Sequence, residues 1–390
     1  MYAGIVLKEL IIIHDKLINY GGAEVVLASL VKYQKPKAII CSCVNDREAW
    51  EKFYGVKIHT PILTRFIKTE AVYKWLYPFI ISVCYLSSLA LTYNNVFFIV
   101  YSSSSGKYFR LRTYTNALLY INYHAKGIRN AENYIIDTQM SGILRQLIKY
   151  IRSSFLKLED AMASKYHYIE AISKEALNSL PTTILNDKSK HIGVLHCPTS
   201  IIIDSSQTAI SLDIPFVNYY VIISRLTPEK DLSPLLDYLY LSSSINLIII
   251  GDGQLLDSFI KKYPKRFFFT GFINTNTKNH ILSMSLGLIQ PTAQEWSLVT
   301  IEANILGVPA IVARSSAIEE INTMISDRID TPNIIFTNFS ELDLAFTLLP
   351  QARNYIANNS KRISNIFSEE VFHKSLSKIM FTISNDNIVN

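Results

Sequence analysis

The most constraining feature of this sequence is an alternation. Short runs rich in Ile, Val and Leu, apolar on both faces, are separated by amphipathic stretches along the whole chain. A strand with two apolar faces must be covered on both, the pattern of parallel strands sandwiched between helices. Strands are expected at Leu10–His14, Ala38–Val44, Val96–Ser102, Ala117–His124, His167–Ser173 and Ile192–His196. A second series falls at Tyr219–Ser224, Asn246–Gly251, Phe267–Phe272, Leu286–Gln290, Ala310–Ala313 and Asn333–Phe336. Helices are expected between them, among others at Ala23–Tyr33, Leu232–Leu241, Leu255–Tyr263 and Val299–Leu306. Repeated strand–helix alternation gives the α/β class with doubly wound sheets. So many strands overfill one compact sheet and suit two, and 390 residues likewise suit two domains. The periodicity lapses near Pro198–Pro215, and Asn359–Ile383 reads as helical with a restart at Phe367-Ser368-Glu369-Glu370.

Composition narrows the function. With 49% hydrophobic and 18% charged residues the chain can bury a core, which sets it apart from disordered sequences. The 38 Lys and Arg against 32 Asp and Glu leave a net charge of +6. Nucleic-acid binders cluster their cations far more densely, so no nucleic-acid partner is expected. A mild surplus suits anionic substrates or an anionic membrane surface. The thiols at Cys41, Cys43, Cys84 and Cys197 have no second Cys/His pair at zinc spacing and are expected in the core of a protein from a reducing compartment. The first residues lack the pattern of a signal peptide. The most apolar window, Trp75–Leu91, is interrupted by Pro78, Ser82, Ser87 and Ser88 and is expected to be a buried helix rather than a membrane span.

Three segments of the second half can carry chemistry. Ser224-Arg225-Leu226-Thr227-Pro228-Glu229-Lys230 follows a strand, so Arg225 and Lys230 can converge on one anion. A solvated loop with two unrelated cations fits the same spacing. Gly251-Asp252-Gly253 makes a tight turn between strand and helix. Gln290 to Ala303 runs from a strand end through Gln294-Glu295-Trp296-Ser297 into a helix starting near Leu298. A helix N-terminus there offers free amides to a diphosphate or to sugar hydroxyls, and Glu302 can accept bonds from vicinal hydroxyls. Both glutamates would equally favour the helix dipole.

Together these segments resemble the retaining GT-B glycosyltransferases of family 4. That family carries E-G-F-G-x-x-x-x-E-A before a Gly-x-Pro turn. This chain reads Glu302-Ala303 and Gly307-Val308-Pro309 in the matching places, with Ser297 in place of a glycine. The first glutamate is either Glu295, after a loop shortened by one residue, or is replaced by Gln294. Arg225 with Glu229-Lys230 resembles G-R-L-x-x-E-K-G, Gly251-Asp252-Gly253 the G-x-G turn, and Phe269-Thr270-Gly271-Phe272 the family's F-x-G strand end. Gly21-Gly22-Ala23-Glu24 resembles the G-G-A-E loop, especially of mannosyltransferases acting on lipid-linked glycans. Tyr123-His124 lies where the family ends a strand on a donor-sugar histidine, and Ala171-Ile172-Ser173 resembles its A-x-S segment.

The resemblance covers nearly the whole chain and implies two Rossmann-like domains facing across a cleft. An acceptor-binding domain would span 1–199, a nucleotide-sugar domain 200–366, and a helix at 367–390 would cross back to the first. It implies sugar transfer with retention from a nucleotide-sugar donor to a lipid-linked or polymeric glycan, with no cofactor or metal. Gly21, Gly22, Arg225, Lys230, Gln294, Ser297, Leu298 and Glu302 would bind the donor, and Glu295 and His124 would line the reacting centre. A nucleotide-sugar epimerase or a non-catalytic binding subunit of the same fold are the alternatives. The implied location is cytoplasmic, at the inner face of a membrane. Peripheral contact is expected through Arg65–Lys68 with Lys74–Tyr77, and through Leu144–Arg152, which mix cations with apolar and aromatic residues.

Overall fold

The computed structural model describes residues 9–18, 21–63, 76–87, 96–124, 142–199, 212–242, 244–326 and 332–389. The segments Arg65–Lys68 and Lys74-Trp75 fall outside them, and of 142–152 only the helical backbone is described. The chain divides into two compact units, Met1–Cys197 with Phe372–Asn390, and Pro198–Val371.

The first unit holds a seven-stranded sheet in the order β4-β2-β1-β6-β7-β8-β9. Its strands are β1 (Glu9–His14), β2 (Ala38–Cys41), β4 (Lys57–His59), β6 (Val96–Tyr101), β7 (Ala117–Ile121), β8 (Tyr168–Ala171) and β9 (His191–Val194). Every pairing is parallel, and Ile12 lies level with Ile39 on one side and Ile99 on the other. The expected strand Ala38–Val44 is instead broken at Ser42, whose backbone N–H and hydroxyl both donate to the Asp15 carbonyl. Its remainder, β3 (Cys43–Val44), pairs with β5 (Ile62–Leu63) in a separate ribbon. All four cysteines are buried free thiols.

Among the described helices of this unit, α1 (Gly22–Gln34) follows β1, and α2 (Arg47–Tyr54) is capped by the Asp46 carboxylate accepting from Ala49 N–H. The window expected to be a buried helix forms α3 (Tyr77–Leu86), but only one face is covered. Ile80, Ile81 and Cys84 are buried, while Phe79 is 60% and Leu86 80% exposed. Hydropathy gave the helix without saying how much of it the sheet covers. Next come α4 (Gly142–Ala163) and the short α5 (Lys174–Asn178) and α6 (Thr182–Leu185).

The second unit has a six-stranded parallel sheet in the order β12-β11-β10-β13-β14-β15. These are β10 (Tyr220–Ile223), β11 (Leu247–Ile250), β12 (Phe267–Gly271), β13 (Gly287–Gln290), β14 (Ala310–Ala313) and β15 (Ile334–Phe336). They alternate with α7 (Ser233–Ser242), α8 (Leu256–Lys262), α9 (Thr275–Met284), α10 (Leu298–Ile305) and α11 (Ser316–Ile325), and α12 (Leu342–Ile366) follows. One core joins Ile222, Leu236, Leu247, Ile249, Ile289, Ile311 and Leu349.

The terminal helical stretch breaks where the sequence restarts. Ser368 Oγ accepts from Val371 N–H at 3.3 Å, opening α13 (Glu369–Val389). From Phe372 onward α13 belongs to the first unit. His373 lies 3.0 Å from Ser29 and 2.9 Å from Gln34, and stacks on Tyr33. Farther along, Asp386 accepts a bond from the Tyr168 hydroxyl.

Candidate active site

Strand order reverses once in each sheet, between β1 and β6 and between β10 and β13. The loops leaving neighbouring strands diverge at such a point and leave a crevice at the carboxyl ends, where open α/β sheets place ligands.

In the second unit, β10 runs into Ser224–Lys230 and β13 into Pro291–Ser297. Arg225 is exposed, and Lys230 is partly exposed at the end of a 3-10 turn, Pro228–Lys230. Between them Leu226 is fully buried and anchors the loop. Its backbone is clamped to the Gly-Asp-Gly turn: Ser224 N–H donates to Ile250 O at 3.1 Å, Leu226 N–H to Asp252 O at 2.9 Å, and Leu255 N–H to Leu226 O at 3.0 Å. A Cβ on Gly251 would sit 1.9 Å from the Ser224 carbonyl oxygen, and one on Gly253 2.3 Å from that of Leu226. Their φ values, +147° and +152°, also suit glycine. The Gly-x-Gly turn thus lets two loop backbones touch and fixes the one bearing Arg225.

On the other side of the crevice, Trp296 is buried edge-on against Phe367. Gln294 donates to Thr292 Oγ1 at 2.9 Å, and both Gln294 and Glu295 are partly exposed. Ser297 caps α10, its hydroxyl accepting from Thr300 N–H at 3.3 Å and meeting Thr300 Oγ1 at 2.8 Å. Leu298 is the first residue of α10, and Glu302 lies one turn on. The Glu302 carboxylate receives Lys278 Nζ of α9 at 2.7 Å, each side chain 19% exposed. No local pattern in the sequence marks Lys278, because its partner lies 24 residues farther along the chain. Asn304 of α10 exchanges hydrogen bonds with Asn333, at 2.8 and 2.9 Å, which pins the helix inside the unit.

Gly21, Gly22 and His124 lie in the first unit. Gly21 is the extended N-cap of α1 and supplies no side-chain cap. Glu24, in the first turn, is buried with its carboxylate 3.7 Å from His14 Nε2, while His14 Nδ1 donates to the Tyr101 carbonyl at 3.0 Å. Burial would lower the His14 pKa, but Glu24 and Asp15 outweigh it and the imidazole is raised above its ordinary value. The Asp15 carboxylate fills the crevice between β1 and β6. It accepts from Ser102 Oγ at 2.5 Å, from the Ser103 and Gly106 amides at 2.8 Å, and from the Ser104 amide at 3.1 Å. Burial would raise its pKa, yet His14 and these donors hold it below the ordinary value.

His124 does not end a strand, because β7 stops at Ile121. The imidazole is fully buried, with its backbone N–H donating to Ser179 Oγ at 2.7 Å and Nε2 2.7 Å from Asp160 Oδ1. It anchors the loop after β7 to α4. Among the described residues, no group of three or more His, Cys, Asp or Glu gathers as a metal site.

Residues 215–333 match the family model described as Glycosyl transferases group 1, so the second unit carries a domain of that kind. No curated protein matches the chain by sequence. Among solved structures, Anabaena HepE in complex with UDP and glucose is 14% identical, with a TM-score of 0.65 over 95% of this chain and 98% of that one. Sucrose-phosphate synthase from Thermosynechococcus elongatus is 12% identical, with a TM-score of 0.65 over 97% and 100%. The lipopolysaccharide outer core galactosyltransferase WaaB, in its apo form, is 13% identical, with a TM-score of 0.55 over 96% and 99%. At such identities the likeness concerns the fold, and that fold is the two-domain GT-B type expected from the sequence.

Proposed function

We propose that this protein is a glycosyltransferase that takes a sugar from a nucleotide-sugar donor with retention and passes it to a lipid-linked or polymeric glycan. The observation that carries the reading is the second unit's crevice, with Arg225 and Lys230 on the loop after β10 and Glu302, paired with Lys278, on the helix that follows the loop after β13. The matching family domain and the sugar-handling enzymes of the same fold support it.

In this reading Arg225 and Lys230 hold the donor diphosphate and stabilise the negative charge that grows as it departs, the task a divalent ion performs elsewhere. Glu302 accepts the ribose hydroxyls, with Lys278 fixing its carboxylate. The free amide of Leu298, which opens α10, serves the phosphates; in the first unit Gly22 opens α1 in the same way. Glu295, or Gln294 in its place, binds the sugar hydroxyls, while Ser297 shapes that loop by capping α10. His124, held by Asp160 and Ser179, orders the loop after β7 in the first unit. The acceptor hydroxyl attacks on the face from which the diphosphate leaves, and the leaving phosphate assists, so no side chain acts as nucleophile.

The test is incubation with UDP-, GDP- and ADP-sugars, with and without membrane extract. Transfer of the sugar to an extracted glycan is the expected result. Epimerised donor without transfer would assign an epimerase, and binding without turnover a non-catalytic subunit; either overturns the proposal.

A further inference from the structure

We propose that the outer face of α3 is a docking surface for an anionic lipid bilayer, on which the helix lies without crossing it. Tyr77-Pro78-Phe79-Ile80-Ile81-Ser82-Val83-Cys84-Tyr85-Leu86 contains no charged residue. Its inner face, Ile80, Ile81 and Cys84, is buried. Its outer face carries Pro78, Phe79, Ser82, Tyr85 and Leu86, all exposed, at the spacing of one side of a helix. Single exposed apolar residues are ordinary, but a continuous apolar face on a charge-free helix is a contact surface. Ser82 does not interrupt it, since its hydroxyl donates to the Pro78 carbonyl at 2.8 Å and so has its proton satisfied without water.

The surface is held firmly. Tyr77 at the start of α3 donates to Glu159 Oε1 at 2.5 Å, and Glu159 is itself paired with Lys107 in the interior. Cations rim the other end: the exposed Arg110 lies 5.5 Å from the centre of the Tyr85 ring and the exposed Lys165 5.8 Å. An aromatic between cations beside an apolar face matches the boundary between anionic headgroups and acyl chains. Ten residues make a helix of about 15 Å, half the thickness of a bilayer core. No described helix is long and apolar enough to cross a membrane. The rim also disfavours a second copy of the chain, because a twofold contact through this face would bring like cations together.

This surface would give a lipid-linked acceptor in the proposed reaction a place to be met, but its test needs no transfer activity. The full chain is floated with vesicles of phosphatidylcholine alone and of phosphatidylcholine with phosphatidylglycerol, at low and high salt. Expected is co-flotation with the anionic vesicles that weakens as salt rises. A Phe79→Glu, Leu86→Glu double variant should lose at least tenfold in vesicle affinity with an unchanged thermal melt, since both residues are exposed. An Arg110→Gln, Lys165→Gln variant should lose about 25-fold on anionic vesicles, each cation contributing roughly fivefold. Failure of the unaltered chain to float, or full flotation of the glutamate variant, overturns the proposal. So does a wild-type dimer that Leu86→Glu dissociates, which would assign the face to a second copy. Flotation without sugar transfer would leave the surface standing and sink the enzyme reading alone.

Discussion

The crevice between β1 and β6 and the crevice between β10 and β13 are built alike and furnished differently. In the first, a hydroxyl and three backbone amides converge on the carboxylate of Asp15, which belongs to the chain itself. In the second, Arg225 is exposed and Lys230 partly exposed on a clamped loop, and Glu302, on the helix that follows β13, is paired with Lys278. Crevices of this kind receive anions readily, because backbone N–H groups point into them. One crevice has its anion covalently supplied and serves as a structural joint. The other presents the side chains of Arg225 and Lys230 on the loop after β10, and the donor diphosphate is assigned there.

The largest effect is expected from disarming the second crevice. Replacing Arg225 and Lys230 together by Ala should cut sugar transfer by roughly two to three orders of magnitude, the scale of a lost electrostatic contact to a transition state. The melt should hardly change. A folded double variant turning over at the wild-type rate would place the diphosphate elsewhere.

Disarming the first crevice should instead cost stability. Asp15→Ala leaves buried donors without an acceptor, and about 3 kcal/mol should be lost in denaturant unfolding. The folded pKa of Asp15 is depressed, so its contribution is present above the ordinary carboxylate value and lost as pH falls through the folded value. Asp15→Asn should therefore flatten part of the wild-type decline in stability below about pH 4. A wild-type acid profile in that variant would mean that Asp15 is not the joint.

A smaller effect sharpens the account of Glu302. Lys278→Met and Glu302→Gln should each weaken donor binding about tenfold, the low end for hydrogen bonds to charged groups. A deoxyribose donor should lose most of this sensitivity to Glu302. If Lys278→Met binds donor normally while Glu302→Gln does not, the lysine is a bystander.

The sheets were legible in the sequence because their strands are apolar on both faces, a pattern that helices do not need. Strand ends were overrun, as at His124 and Ile172-Ser173, because residues past the ladder can stay buried and hydropathy registers burial, not pairing. Lys57–His59 and Ile62–Leu63 went unseen because they are too short for a periodicity. Arg225, Lys230 and Glu302 could be singled out because loops next to strand ends carry their own local pattern. Asp15 could not, since its partners lie 87 to 91 residues farther along the chain. The outer face of α3 was equally hidden, because which side of an apolar helix is covered depends on what packs against it.

The last helix has a consequence for the order in which the protein can mature. Residues from Phe372 onward complete the first unit but are synthesised after all of the second. His373 meets Ser29 across a separation of 344 residues. While the ribosome is still making the second unit, the surface around Ser29, Tyr33, Gln34 and Tyr168 waits uncovered. A nascent chain stalled before Phe372 would therefore expose this surface to chaperones and proteases, even with its second unit already folded.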